Sequence, residues 1–591
     1  MNNSSNRPSR RKLFSMAGAA AVAATSGSAA AAVAPAGDSY RLTRDVPVER
    51  GSDVVVAGGG PAGAAAAICA ARLGAKLLLL EAMGSMGGMG ANAIVSSWYS
   101  VGNGERLVIG GLIRDIVASL CRDKQAAPAV SGAFAQGRYF DAIGFRPEAL
   151  ELLLHRLCRK AGVEVRDFTR VVDAELDAST RQPECIVTNN VEGFRYIAAR
   201  TFLDCTGDAV LTTLCGAKVR TAGVDTPKIM PPTLCATVTT IDFARFRPGQ
   251  TPALVEKAIA EGYFSQPDRH PPGVFRNGPH SAMLNTGHIF NTDATRCGSL
   301  SGAMMRGREL AEEYAGFFRR YMPGCEQMDV TGTGTPLGVR ESRRIAGEYE
   351  VNYQDIQARR HFPHQIAVYC KALDIHVYDL SPEDYKRDYE EYNQLDRPRK
   401  GESYGLPYGM LVPKGWRDLW VAGRCSSSGI KVNGAIRDQP ACFMLGQAAG
   451  TAAAQSIRTG QAANELDTEQ LVSTLRGAGG YLPQPSLTRT MTRDRRGRCC
   501  WRQPWPRPSR AVAPSTGSPA SRRASACSTG PPPRASSWKS ATGASPSSPP
   551  YPAGGTLRCS SCRPLKPLST PAPMPPSSVA GSGRIHLAAN Q

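Results

Sequence analysis

Paired cysteines, histidine and terminal acid are what this 591-residue sequence has least of. Twelve of its 17 cysteines precede residue 481, and none of those twelve forms a CxxC pair, so disulfide exchange has no support. Cys559 and Cys562 do have that spacing, but they stand without the second ligand pair that a zinc site needs. There is no HExxH and no paired cysteine–histidine set, so no catalytic metal is expected. Histidines number only eight, few enough for each to be weighed as a proton carrier near neutral pH. Long apolar runs are missing too: the alanine-rich stretch ending near Ala32 is weakly apolar, which argues against a membrane anchor.

The shortage of acid is local. The chain is +20 overall, yet residues 38–480 carry 50 Lys and Arg against 49 Asp and Glu. Residues 1–37 carry four basic groups and no acid, and residues 481–591 carry 16 against one. The excess marks the two ends rather than a groove, and no nucleic-acid partner is expected. The balanced stretch, 443 residues from 38 to 480, is long enough for two domains with a core each.

Both ends read as appendages. Ser9-Arg10-Arg11-Lys12-Leu13-Phe14, the alanine-rich run and the small residues Ala34–Ala36 read as a signal peptide over 1–36, and the paired arginines resemble a twin-arginine export signal. That implies the Tat export machinery as a partner and a periplasmic or secreted product. No cysteine precedes Cys69, which removes a lipoprotein anchor at the leader. From about Ser486 to residue 591 the chain is dominated by Pro, Ser, Arg, Ala and Gly and cannot bury a core. A disordered basic tail and translation in a shifted reading frame both remain open for it.

What the interior does have is concentrated between Asp53 and Gly88. Val54, Val55, Val56 and Ala57 suit a strand buried on both faces, and they end on Gly58-Gly59-Gly60. Gly58 permits a tight bend, Gly60 allows close approach of a pyrophosphate, and Gly63 lets the next helix lie close on the strand. The spacing predicts a helix over Ala62–Leu73, its amino end presenting free N–H groups and a positive dipole, stopped by Gly74. A second strand over Lys76–Leu80 delivers Glu81, 18 residues after Gly63, where a carboxylate accepts hydrogen bonds from ribose hydroxyls. Gly58, Gly60, Pro61, Ala62, Gly63, Glu81 and Ala82 are the expected first half of a dinucleotide site.

Gly58–Gly63, Glu81 and Gly87-Gly88 resemble the glutathione-reductase-type flavoproteins, and the resemblance implies FAD with the second glycine pair against it. Phe145–Val165, Phe202–Ala217, Pro336–Tyr349 and Tyr404–Cys425 resemble blocks of the bacterial FAD-dependent oxidoreductase family, the matching spanning about residues 50–480. The fold so implied is α/β: a Rossmann-like FAD-binding domain in two parts, 50–217 and 401–482, with an inserted α+β substrate domain over 218–400. The resemblance also implies cofactor contacts at Thr206, Gly207, Gly423 and Arg424. No histidine lies between Gly84 and Ser100, where fumarate-reductase relatives attach flavin, so the FAD is expected to be noncovalent. No second GxGxxG follows a strand, since Gly332-Thr333-Gly334 lacks its third glycine; no nicotinamide domain is expected. Electrons are then expected to pass to a quinone, a redox protein or oxygen.

The remaining blocks read mainly as packing. Leu150, Leu153, Leu154, Leu157 and Cys158 recur at helical spacing before Gly162. From about Pro440 a helix of small residues is open to two readings, close packing or an amino end facing the flavin. Arg340–Tyr349, read as a strand, puts Arg340, Ser342, Arg344 and Glu348 on one face, where two guanidinium groups grip an anion or join a lattice with Glu341 and Glu348. Arg340 and Arg344 are the candidate anion clamp. His288 is the candidate base, His280 less so, and His361, His364 and His376 read as surface or packing. Tyr404 and Tyr408 read as packing. The activity expected is hydride transfer between a small organic substrate and flavin. A reductase of an activated double bond and a catalytically inert FAD-binding protein are the alternatives.

Overall fold

The computed structural model describes residues 42–126, 143–226, 228–391 and 397–483, with the backbone of Met491–Arg493 and Cys499–Trp501. The leader expected over 1–36 lies outside the described residues. So does the tail beyond about 486, apart from one antiparallel pairing of Met491–Arg493 with Cys499–Trp501.

Five parallel strands lie side by side in the order Glu164–Arg166, Leu77–Leu80, Val48–Ala57, Gly193–Asp204 and Leu419–Val421. Val54 stands between Leu77 and Thr201, and Val56 between Leu79 and Leu203. These unbroken apolar runs arise because the strands are covered on both faces. The Gly193–Asp204 strand divides its far edge. Its first half pairs antiparallel with Pro183–Asn190, which in turn pairs with Arg170–Leu176, and its last residues pair with Leu419–Val421. That division sets a turn from late in the chain beside the glycine turn near its start.

Helix Pro61–Arg72 runs as the spacing predicts, within a residue or two at each end. Against it lies Gln439–Thr459, and both are buried almost all round. The crossing is close because it is built on glycine: a Cβ at Gly446 would stand 2.0 Å from Ala62 O, and one at Gly450 would stand 2.1 Å from Ala66 O. Helix Pro147–Ala161 buries Leu150, Leu154 and Cys158 and ends at Gly162 with φ +79°.

A second core gathers Leu234, Val238, Leu284, Leu310, Tyr314 and Phe318. It lies under a four-stranded antiparallel sheet ordered Gly273–Arg276, Ala282–Asn285, Ala236–Thr239 and Asp329–Thr333, with helix Cys297–Tyr321. The later pair Gln365–Tyr369 and Tyr404–Pro407 packs instead into the core around the glycine-built helix crossing. Among the described residues no helix is long and apolar enough to cross a membrane.

Candidate active site

A cavity of about 450 Å³ opens at the carboxyl ends of the parallel strands and is lined by Gly58, Gly60, Pro61, Ala62, Glu81, Ala82 and Gly88 on one side. The glycines there have different reasons to be glycine. At Gly58, φ is +97° and a Cβ would lie 2.6 Å from Cys205 O; at Gly63 it would lie 1.7 Å from Gly58 O. Both are imposed by packing. At Gly60 the nearest atom to an added Cβ is Gly88 Cα, 3.8 Å away, so the protein itself leaves that space open. The first turn of the following helix has neither an acid nor a capping side chain, and its N–H groups meet the cavity unpaired by side chains. Gly87, with φ +100°, lies outside the lining and turns the chain so that Gly88 comes against Gly60.

Glu81 is buried at the end of its strand. Its Oε2 accepts the Gly59 N–H at 2.6 Å and its Oε1 the Met83 N–H at 2.8 Å. Burial pushes its carboxyl up, partly opposed by those N–H groups. Opposite stand Thr206, Gly207, Asp208, Gly423 and Arg424. Asp204, wholly buried, fixes that turn by accepting from Thr206 N and Oγ1 and from Thr212 N and Oγ1. Arg424 Nη2 donates to Asp208 Oδ1 at 2.6 Å, whereas its buried Nε has no partner. An uncovered glycine, helix-end amides, a buried carboxylate and an orphaned guanidinium donor suit pyrophosphate, ribose and polar ring edge in turn. These residues fit FAD.

Helix Gln439–Thr459 packs closely and also reaches the cavity. Its interior packs on Pro61–Arg72, while Asp438, Gln439 and Cys442 at its amino end line the cavity. Gln439 is held by Trp98 Nε1 at 2.9 Å and by its own bond to Val95 O at 2.7 Å.

Charge gathers at the part of the cavity lined by Arg340, Lys371, Asp374, His376 and Arg437. Asp374 lies 3.4 Å from Lys371 Nζ and 3.2 Å from Arg437 Nη2, and Lys371 also reaches Asp438 at 3.1 Å. Burial alone would raise the Asp374 carboxyl, but Lys371, Arg437 and Arg340 bring it down to about 2. Arg340 donates to Pro231 O, and burial lowers it to about 10, so it stays charged at neutral pH.

Arg344 is placed elsewhere. Its guanidinium donates to Asp225 Oδ2 at 2.6 Å and to Ser428 O at 3.1 Å, and it does not line the cavity. Only Arg343–Ile345 of the expected strand pairs as a strand, with Val219–Thr221. The preceding residues leave the ladder because Arg340, Glu341 and Ser342 are drawn to Pro231 O, Met230 N and Asp208 respectively. Tyr404 and Tyr408 are buried, donating to Lys371 O and Ala463 O.

His288 is buried behind the cavity wall, and the histidine that lines the cavity is His376. His288 Nε2 and His376 Nδ1 are 2.9 Å apart. His270, not singled out in the sequence, has its ring 4.8 Å from that of His288 and 5.0 Å from that of His376. His376 reads as surface or packing in the sequence, yet a signal was present. Leu373, Ile375 and Val377 are buried apolar residues alternating with Asp374 and His376, the period-two pattern of a segment with one polar face.

The parallel sheet, glycine turn and strand-end cavity define an α/β dinucleotide-cofactor protein. The chain belongs to the FAD dependent oxidoreductase family, whose profile matches residues 53–475. It is a flavin-dependent redox enzyme, and its cofactor is FAD. No curated protein sequence matches it. Among solved structures it is similar to a geranylgeranyl bacteriochlorophyll reductase-like protein from Thermoplasma acidophilum, at 12% identity and TM-score 0.35, covering 73% of this chain and 83% of that one. It is also similar to a p-nitrophenol 4-monooxygenase from Pseudomonas putida DLL-E4, at 16% and 0.33, covering 52% and 70%. A triple mutant of a flavin-dependent brominase matches at 12% and 0.38, covering 72% and 84%. At these scores the three carry no argument about reaction or substrate.

Proposed function

We propose that this protein is an exported dehydrogenase or oxidase, built on a glutathione-reductase-type flavin domain, that removes a hydride from a carbon of a small organic acid. When bound, FAD supplies the two-electron acceptor for that hydride. Gly58, Gly60, Pro61, Ala62, Glu81, Ala82, Gly88, Thr206-Gly207 and Gly423-Arg424 are its proposed noncovalent berth, with Gly63 and Gly87 shaping it from behind. The electrons then pass to a quinone, a redox protein or oxygen.

The observation that carries the reading is the cationic end of the cavity. Arg340, Lys371 and Arg437 face Asp374 and Asp438 there, leaving one cation in excess. A substrate carboxylate balances that excess, and the guanidinium of Arg340 has the fork geometry to grip it. Arg344 supports this block from behind through Asp225. The proton released with the hydride goes to the histidine cluster at the same end, in which His288 is central.

Anaerobic mixing of the yellow protein with a panel of hydroxy acids, polyols and sugar acids tests the reading. Bleaching of the flavin band by an acid, slowed about 100-fold or more in Arg340→Ala, is the expected result. Bleaching by neutral polyols alone, unaffected by that substitution, would remove the anion grip. Acid precipitation should leave the yellow colour in the supernatant.

A further inference from the structure

We infer that His376 is the catalytic base of this cavity and that it acts through a buried relay, His376 to His288 to Asp268, with His288 and Asp268 as positioning residues. The inference deepens the reading above and rests on it. Its starting point is that the three groups stand in file, only the first of them lining the cavity. His376 Nδ1 is 2.9 Å from His288 Nε2, and His288 Nδ1 is 2.9 Å from Asp268 Oδ2, the latter pair close but without an aligned hydrogen bond. Asp268 is itself fixed on its other oxygen, which accepts the Tyr385 hydroxyl at 2.7 Å and the His270 N–H at 2.9 Å.

Proton counting gives this file a direction. With Asp268 ionised, His288 carries its proton on Nδ1 and offers Nε2 as acceptor; His376 then carries its proton on Nδ1 and leaves Nε2 without one. In that arrangement His376 presents a free lone pair at the cavity end. When a substrate hydroxyl gives up its proton, the O–H bond breaks and an N–H bond forms at His376 Nε2, while the C–H bond breaks and its electron pair leaves as hydride to the cofactor. The His376 Nδ1 proton passes to His288 Nε2, and the positive charge comes to rest beside Asp268.

The surroundings favour the same direction. His376 faces Arg340, Arg437 and His270, which disfavour its charged form, and Asp374, 3.4 Å from Nε2, which opposes a lone pair there and stabilises the N–H that proton uptake creates. Burial first, then the charge of Arg340, drives its basicity well down, so it rests neutral. Burial also lowers His270, to about 4, and it too is neutral. Asp268 is held below the ordinary carboxylate range: burial would raise it, but a charged His288, the His270 backbone N–H and the Tyr385 hydroxyl outweigh that, so the carboxylate is matched to the protonated ring on which the relay ends.

The three imidazoles also have ligating nitrogens within 4.8 Å of one another, which raises a bound metal as the rival occupant. Arg340 and Arg437 oppose a dication while Asp268 and Asp374 attract one, so the choice rests on spacing. Tetrahedral zinc with bonds of about 2.0–2.1 Å would hold two nitrogens about 3.3 Å apart, wider than the 2.9 Å found, which is a hydrogen-bond distance.

Histidine-ring 15N NMR of the FAD-loaded protein, with elemental analysis of the same sample, decides the matter. The expected result is no stoichiometric metal, a protected His288 Nδ1–H signal that Asp268→Asn abolishes, and one protonation event shared by both rings. His376→Gln should keep one FAD per chain yet slow flavin bleaching by any acid active in the panel about 100-fold or more. Independent titration of the two rings, or a His288 signal indifferent to Asp268→Asn, would overturn the relay. So would one equivalent of transition metal whose removal by EDTA shifts all three rings. Failure of the flavin reading would instead appear as colourless protein, separable from each of these outcomes.

Discussion

Glu81 holds the glycine turn to the second strand: its carboxylate accepts the Gly59 N–H at 2.6 Å across the mouth of the cavity, in the position from which it would also meet ribose hydroxyls. Glu81→Gln keeps the shape and loses the charge. FAD affinity is expected to fall roughly tenfold, about 1–2 kcal/mol, as measured by fluorescence titration of apoprotein. Because burial raises this carboxyl, affinity in the native protein should weaken on acidification at a higher pH than an ordinary glutamate would set.

Arg340 and Arg344 are four residues apart, yet they should fail differently. Arg344→Met strands Asp225 beside the buried Glu341 and should cost about 3 kcal/mol or more of stability, seen as a lowered urea midpoint, with FAD content unchanged in the folded fraction. Arg340→Lys should leave the midpoint within about 1 kcal/mol and reduce binding of an anionic probe such as oxalate. The reverse pattern would exchange their roles.

Acid stability should carry a signature of Asp374. Its folded carboxyl is depressed to about 2, so its contribution is complete above the unfolded value near 4 and is lost as the pH falls from about 4 towards 2. Asp374→Asn should lower the thermal midpoint at pH 6 and flatten its fall across that acid range. A variant whose profile parallels the native one there would show that Asp374 is not coupled to Lys371 and Arg437.

Export is testable without any substrate. Replacing Arg10 and Arg11 by lysine is expected to leave the protein in the cytoplasm, read by fractionation and immunoblot. Undiminished export would remove the twin-arginine proposal.

The cofactor half of the cavity was legible in the sequence because its logic is local: strand, glycines, helix and acid follow one another between Val54 and Glu81. The helix and the second strand form with boundaries shifted by a residue, while the first strand begins at Val48, six residues before Val54. The charged half was not, because its logic is long-range. His288 and His376 are 88 positions apart, one next to Ile289 of the second core and the other near Leu373 of the first. Arg344 shows the complementary failure. Strand periodicity puts it on one face with Arg340, but three successive buried polar side chains find different partners and break the period before it can act. Gly446 and Gly450 mark a middle case, since small residues announced close packing but not that Ala62 and Ala66 would be the contacts.

The central claim is that the backbone at Gly60 is left bare for a ligand rather than for the protein, since an added Cβ there meets nothing nearer than Gly88 Cα at 3.8 Å. FAD titration of Gly60→Ala beside the native protein, with thermal midpoints recorded on the apo forms, tests it most directly. The account requires unchanged apo midpoints, tight binding by the native protein and affinity lost by about tenfold or more in the variant. Equal affinity in both, or a native protein that takes up no FAD, would contradict it.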